Sequence, residues 1–249
     1  MIVAAALLGY GVGVFLNLCA DFLPAEPRRS PFQLPRCSAC GAARRPLSLA
    51  GVIADVAGWS RCAQCGAGRG LRAPLVEIAT AAVFAVLAWR YGVGVQFAFM
   101  ALYFAVLILV TVTDLERRLI LDVVTFPAMA IAFVGSFFMP NMTPVKALIG
   151  GAIGFGLFYV LAIASRGGLG GGDVTLMGFV GVATGFPVVI VAILAGILLG
   201  GLGAGVMLAL RRVGRKSTIA YGPYLVLGAA FALLYGREFM LWYLAPYAR

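Results

Sequence analysis

Long apolar stretches separated by short polar segments dominate the pattern along this chain. A membrane-spanning helix needs about 20 apolar residues, and eight stretches approach that length. We therefore predict an all-α polytopic membrane protein with about eight transmembrane helices. We expect the first helix to be retained and not removed as a signal peptide, because no basic segment precedes it. The eight stretches are residues 2–22, 74–91, 94–113, 121–139, 145–165, 173–186, 188–210 and 221–245.

The composition agrees with a membrane protein, since 63% of the 249 residues are hydrophobic and 11% are charged, with a mean hydropathy of +1.03. The net charge of +10 does not indicate nucleic-acid binding, because most basic residues lie in every second loop between the apolar stretches. Loops on the cytoplasmic side of a membrane protein carry such an excess of lysine and arginine. We expect both termini to lie outside the cytoplasm. We also expect membrane lipid to surround the helices, and we expect no nucleic-acid partner. Fifteen basic residues are assigned to the cytoplasmic side: Arg28, Arg29, Arg36, Arg44, Arg45, Arg61, Arg69, Arg72, Arg117, Arg118, Arg166, Arg211, Arg212, Arg215 and Lys216.

Catalytic chemistry in this chain is restricted by the absence of histidine. Serine–histidine and cysteine–histidine hydrolases and His-Glu-x-x-His metalloproteases are excluded. A serine–lysine pair stays open, but the only lysines, Lys146 and Lys216, fall on opposite sides of the membrane in the expected topology. Carboxylates are therefore the favoured acids and bases. Asp114 ends an apolar stretch, and Asp173 follows a glycine-rich segment that begins at Gly167. A carboxylate at the edge of a membrane segment costs free energy unless it is paired, hydrated or used. The two acids are therefore the predicted functional site, and both belong to the cytoplasmic face in the expected topology.

Four cysteines lie in the longest polar segment of the chain, as two Cys-x-x-Cys pairs separated by 21 residues. This pattern predicts a structural zinc site formed by Cys37, Cys40, Cys62 and Cys65. Two disulfides are the alternative, but thiols stay reduced in the cytoplasm. We accordingly divide the chain into a first transmembrane helix (1–23), a cytoplasmic zinc-binding loop (24–73) and a membrane core (74–249).

Several motifs in chain order make the sequence similar to the type IV prepilin peptidase family. The family comprises leader peptidases of bacterial inner membranes that are also N-methyltransferases. The motifs are Gly13–Asn17 with Leu23-Pro24, the four cysteines, Pro74-Leu-Val-Glu77, Asp114–Asp122, Gly170-Gly-Gly-Asp173 and Tyr221-Gly-Pro-Tyr224.

The resemblance implies that Asp114 and Asp173 form an aspartic protease dyad. Amide hydrolysis without histidine agrees, because one carboxylate can activate water while a second carboxylic acid polarises the carbonyl. Gly170 and Gly172 are candidates to admit the substrate backbone. Asp122 is assigned either to a supporting place in the substrate site or to the start of its own helix.

The resemblance also implies the partners and a second cofactor. The substrates would be prepilins or pseudopilins, cleaved at the inner surface of the membrane and then methylated with S-adenosylmethionine. No residue is assigned to that cofactor beyond Glu77, which we name only as a candidate.

Two other classes of function remain open at this point. A proton- or cation-coupled transporter could use membrane-edge carboxylates, with the zinc loop as a gate. Transporters usually place such acids near the bilayer midplane, whereas both aspartates here flank cytoplasmic loops. A noncatalytic assembly factor of a pilus or secretion apparatus is the third interpretation.

Overall fold

A computed structural model describes residues 1–24, 37, 39–42, 49–59, 61–68, 70–165, 168–209 and 221–245. Eleven of the basic residues on which the topology prediction depends lie outside the described residues, so the charge asymmetry stays a prediction. They are Arg28, Arg29, Arg36, Arg44, Arg45, Arg69, Arg166, Arg211, Arg212, Arg215 and Lys216, and Gly167 also lies outside.

Within the described ranges the chain forms nine α-helices and no strand, apart from one isolated bridge between Arg61 and Gly68. The all-α prediction is confirmed. The helices are α1 (Ile2–Phe22), α2 (Gly51–Val56), α3 (Arg72–Tyr91), α4 (Val95–Arg117), α5 (Asp122–Gly135), α6 (Pro144–Ala164), α7 (Gly171–Thr184), α8 (Val188–Ala209) and α9 (Gly222–Leu244).

Six of the described helices are long and apolar enough to cross a membrane: α1, α3, α4, α6, the Val188–Val206 part of α8, and α9. Each of the eight predicted stretches overlaps one helix, but α5 and α7 have only 14 residues each. At 1.5 Å per residue such a helix is about 21 Å long, which is shorter than the apolar core of a bilayer.

The first compact unit, Met1–Phe97, is built on the pairing of α1 with α3. Two glycines of α1 allow the close approach. A Cβ on Gly13 would lie 2.7 Å from Cα of Glu77, and one on Gly9 would lie 2.7 Å from Cβ of Phe84. Small residues at such interfaces let helix backbones meet in lipid.

The second compact unit, Ala98–Arg249, is centred on α7. Every α7 residue from Asp173 to Ala183 is buried, and α5, α6, α8 and α9 all contact this helix. A helix that is apolar on all sides is typical of such an enclosed position. The catalytic candidate at its first turn is therefore held by the most enclosed element of the unit.

Candidate active site

Asp114 lies in the last turn of α4 and is only 6% exposed. The helix ends directly after Arg117, because Arg118 adopts a left-handed conformation with φ of 52° and donates its N–H to the Asp114 carbonyl at 2.9 Å. The Asp114 carboxylate accepts a hydrogen bond from the backbone N–H of Gly222 at 3.0 Å. The end of α4 therefore carries this carboxylate, and the backbone at the start of α9 fixes its position.

Asp173 lies in the first turn of α7 and is 7% exposed. Its Oδ2 accepts the backbone N–H of Gly170 at 3.1 Å, and its own N–H donates to the Gly170 carbonyl at 3.1 Å. A carboxylate at this position satisfies a free N–H and interacts favourably with the helix dipole. Its Oδ1 is buried and has no hydrogen-bond partner in the described part of the chain. Buried polar atoms are nearly always paired, so this oxygen is available to water or substrate.

The two predicted catalytic residues come together in the second unit. Asp173 is close enough to Asp114 and to Tyr221 for their charges to interact. Three separate elements contribute, namely the end of α4, the start of α7 and the start of α9. Two neighbouring carboxyls share a proton more readily than both ionise, and such a pair can act as acid and base together.

Asp122 is exposed and is the first residue of α5, but it also contacts α7. Its Oδ1 accepts the Thr175 hydroxyl at 2.9 Å, and the Thr125 hydroxyl donates to the Thr175 hydroxyl oxygen at 3.1 Å. Thr175 is two residues beyond Asp173, so the network links α5 to the first turn of α7. The motif that ends at Asp122 was visible in the sequence, whereas the two threonines were not identified there.

The two glycines assigned to the substrate differ in their surroundings. Gly170 is exposed, and a Cβ built on it would lie 3.4 Å from Asp173 Oδ2, an ordinary contact distance. A Cβ on Gly172 would lie 2.6 Å from Cβ of Ile120 and 3.0 Å from its carbonyl oxygen. The packing of the chain itself therefore requires a glycine at position 172.

The four cysteines converge in the first unit, where their sulfurs all lie within 4.8 Å of one another. All four are free thiols, with Cys37 Sγ 3.6 Å from Cys65 Sγ and Cys40 Sγ 3.6 Å from Cys62 Sγ. A tetrahedral ion with metal–sulfur bonds of about 2.3 Å would separate its sulfurs by roughly 3.8 Å. The spacing therefore fits a metal ion, and is well beyond the length of a disulfide bond, about 2 Å.

Both cysteine pairs adopt the same turn. Cys37 donates its N–H to the Ala42 carbonyl, and Cys62 donates to the Ala67 carbonyl, at 2.8 and 2.9 Å. Each turn needs a glycine, since Gly41 and Gly66 have φ of 72° and 69°. These repeated turns present two sulfurs each toward a common centre.

The thiol of Cys37 is prepared for metal binding by its own turn. The backbone N–H of Cys40, followed by that of Ala39, lowers the pKa of the Cys37 thiol to about 6. The thiolate is the form that coordinates metal ions, so these N–H groups favour the coordinating form of Cys37.

Glu77 is fully buried in α3 and both of its carboxylate oxygens are used inside the chain. Oε1 accepts the N–H of Gly51 at 2.6 Å, and Oε2 accepts the N–H of Val52 at 2.9 Å. The side-chain amide of Asn17 donates to the Ala73 carbonyl at 3.1 Å and to Glu77 at 3.4 Å. The carboxylate thus joins the start of α2 to the α1–α3 pair, a role that the sequence did not reveal.

Family models match both compact units. The model of the bacterial peptidase A24 N-terminal domain matches residues 7–91, and that of the type IV leader peptidase family matches residues 101–205. The first range contains the four cysteines, and the second contains Asp114 and Asp173.

Individual relatives extend over most of the chain. The prepilin leader peptidase/N-methyltransferase of Pseudomonas aeruginosa is 28% identical over 98% of this chain and 93% of its own length. The protein of the same name from Bacillus subtilis is 25% identical over 84% of each chain. No solved structure matches the chain significantly. The two family models in chain order, together with these nearly full-length relatives, show that the chain belongs to the type IV leader peptidase family.

Proposed function

We propose that this chain is an aspartic endopeptidase that removes the leader peptide of type IV prepilins or pseudopilins. The observation that carries the proposal is the pair Asp114 and Asp173, brought together from two helices with one buried carboxylate oxygen unpartnered. The names of the relatives support the substrate class. A transporter is not favoured, because transporter sites usually lie near the bilayer midplane, whereas the proposed topology puts both carboxylates at the cytoplasmic face.

The proposed reaction uses the two carboxyls as one unit. A water molecule between them loses a proton to the ionised carboxylate and attacks the scissile carbonyl carbon. The protonated partner donates a hydrogen bond to the carbonyl oxygen, and the peptide C–N bond breaks as a proton reaches the leaving nitrogen. The N–H groups of Gly222 and Gly170 hold one oxygen of Asp114 and of Asp173 respectively, which orients the opposite edge of each carboxyl.

The proposed location is the bacterial inner membrane, with eight helices embedded, both termini outside and the dyad at the cytoplasmic face. Six helices of crossing length support a multi-pass protein. The short helix α7 is surrounded by other helices of its unit, and a helix enclosed by protein need not match the bilayer thickness. Membrane lipid covers the exposed apolar faces, such as those of Leu148, Val160 and Leu202.

Substrate contacts are proposed at the first turn of α7. Gly170 is exposed beside Asp173 and leaves room for an extended leader backbone. Gly172 allows α7 to approach Ile120, and Asp122 anchors α5 to the same turn through Thr175. Gly172 and Asp122 would therefore shape the substrate site through the chain's own packing.

Zinc is the proposed occupant of the four-cysteine group. Four thiolates in tetrahedral arrangement prefer zinc and leave no open coordination position, so the ion would be structural. Cys37, Cys40, Cys62 and Cys65 would hold it, and its binding energy would stabilise a loop that has little apolar core of its own.

N-methylation with S-adenosylmethionine is proposed only from the names of the relatives. Glu77 does not fit a contact with that cofactor, because its carboxylate is 0% exposed and is already bonded to Gly51 and Val52. We therefore assign the methylation step no residue.

Cleavage of a purified prepilin-like substrate in detergent tests the peptidase proposal. Asp114→Asn and Asp173→Asn should each lower the rate by at least about 100-fold, since each removes an acid–base group. Asp55→Asn, an exposed carboxylate in α2, is the matched control and should cleave like the parent. Undiminished cleavage in either dyad variant would refute the assignment, and ion flux without cleavage would favour the transporter. Substrate mass with and without S-adenosylmethionine reports methylation separately.

A further inference from the structure

The N–H that holds Asp114 comes from a crowded point at the start of α9. A Cβ built on Gly222 would lie 2.6 Å from Asp114 Oδ2 and 3.0 Å from its Cγ. The backbone at Gly222 therefore packs directly against the carboxylate, and a small displacement would break the hydrogen bond. Two residues near this backbone, Tyr221 and Tyr224, have rings that pack against α8.

Two glycines of α8 accommodate these rings. A Cβ on Gly200 would overlap Cε2 of Tyr221 and lie 2.9 Å from its Cζ. A Cβ on Gly203 would overlap Cε1, Cζ and Oη of Tyr224. Residues three apart lie on the same face of a helix. Gly200 and Gly203 therefore form one surface, called here the tyrosine seat, on which the start of α9 rests.

The tyrosine seat is separate from the main contact between α8 and α9. Deeper along the pair, a Cβ on Gly228 would lie 2.5 Å from the Gly196 nitrogen and 2.7 Å from the Ala192 carbonyl oxygen. This backbone-to-backbone approach holds the two helices together without the tyrosines. A methyl group in the seat would thus displace the start of α9 while the helix pair remains packed.

We propose that Gly200 and Gly203 are positioning residues for the dyad. They seat Tyr221 and Tyr224 so that the Gly222 N–H reaches the Asp114 carboxylate. This inference rests on the proposed peptidase function. It gives two helix glycines a role in positioning Asp114, in addition to their role in packing α8 against α9.

The matched controls lie in the same helix. No atom of the described chain lies within 4 Å of a Cβ built on Gly201 or Gly205. Gly201→Ala and Gly205→Ala therefore make the same chemical change as Gly200→Ala and Gly203→Ala, and raise helix propensity equally, without touching the tyrosines.

The experiment measures kcat and KM for leader cleavage in detergent, with the thermal midpoint of each variant. Gly200→Ala and Gly203→Ala should lower kcat by roughly 10-fold to 100-fold with KM within about two-fold of the parent, because a misplaced catalytic group affects the chemical step. Gly201→Ala and Gly205→Ala should match the parent in both constants. Thermal midpoints near the parent value would show that the loss is not one of folding.

A double-mutant cycle covers the case in which the seat variants fold poorly. Tyr224→Leu removes the ring that Gly203 accommodates, so Gly203→Ala should cost far less kcat in that background than in the parent. Additive losses would overturn the proposal. So would parent-like kcat in Gly200→Ala, equal losses in Gly200→Ala and Gly201→Ala, or a change confined to KM.

The reference variant Asp114→Asn separates the two levels of inference. If it is inactive while both seat variants cleave like the parent, the tyrosine seat is refuted and the dyad stands. If Asp114→Asn retains full cleavage, the dyad fails and the seat proposal fails with it.

Discussion

Glu77→Gln should loosen the start of α2 and destabilise the first unit. The parent carboxylate accepts two backbone N–H groups, from Gly51 at 2.6 Å and from Val52 at 2.9 Å, in a fully buried position. Glutamine keeps one acceptor oxygen but places an NH₂ group against the second N–H. A hydrogen bond to a charged group contributes about 1.5–3 kcal/mol, and an unsatisfied buried donor costs about 1–3 kcal/mol. Because one of the two hydrogen bonds is kept, we expect the free energy of unfolding of the first unit to fall by roughly 2–4 kcal/mol.

A second carboxylate of the same unit provides the control. Asp21 forms an ion pair with Arg72 at 2.8 Å, but the two side chains are 45% and 25% exposed respectively. Exposed pairs contribute about 0–1 kcal/mol. Asp21→Asn removes the same charge as Glu77→Gln but should change the free energy of unfolding of the first unit very little. Burial and backbone partners, and not the loss of a negative charge, decide the difference.

Hydrogen–deuterium exchange followed by mass spectrometry resolves the effect locally. The peptide covering residues 49–59 should exchange faster in Glu77→Gln, by roughly 30-fold or more if 2 kcal/mol of local stability is lost. Its exchange in Asp21→Asn should match the parent. Parent-like exchange of this peptide in Glu77→Gln, with normal zinc content, would refute the role given to the carboxylate.

Two further predictions concern the metal and the first turn of α7. Purified protein should contain one zinc ion per chain by elemental analysis, and Cys37→Ser should lower that content substantially, because a sulfur ligand is lost; two disulfides by mass spectrometry would contradict the metal site. Gly172→Ala should reduce stability by about 1–3 kcal/mol through overpacking, as measured by thermal unfolding in detergent. Gly171→Ala, where a Cβ meets no described atom within 4 Å, should unfold like the parent, and equal midpoints for both variants would contradict the packing argument.

The apolar pattern was sufficient to locate the helices, because lipid cannot satisfy backbone polar groups and apolar segments of this length must pair their own N–H and C=O groups. The predicted stretch 2–22 coincides with α1, and 145–165 lies within one residue of α6. The pattern was less informative for 121–139, where α5 ends at Gly135. Length alone did not distinguish α5 and α7 from helices that cross the full apolar core.

The candidate site was partly accessible from sequence. The cysteine spacing predicted a four-sulfur group, which the structure brings within metal-binding distance, because two short turns and one loop closure suffice to form it. Asp114 and Asp173 could be singled out because carboxylates are rare in apolar chains, and the structure places them close enough to interact. Their catalytic roles stay predictions.

The sequence by itself determined the helical class, the apolar segments and the few groups able to carry acid–base or metal chemistry. Tertiary structure alone decided which partners those groups meet. The Gly222 N–H reaches Asp114 across 108 positions, and Glu77 meets Gly51 across 26. The glycine at position 172 is required by Ile120 of another segment. Such contacts depend on how helices pack against each other, which local apolar periodicity does not encode.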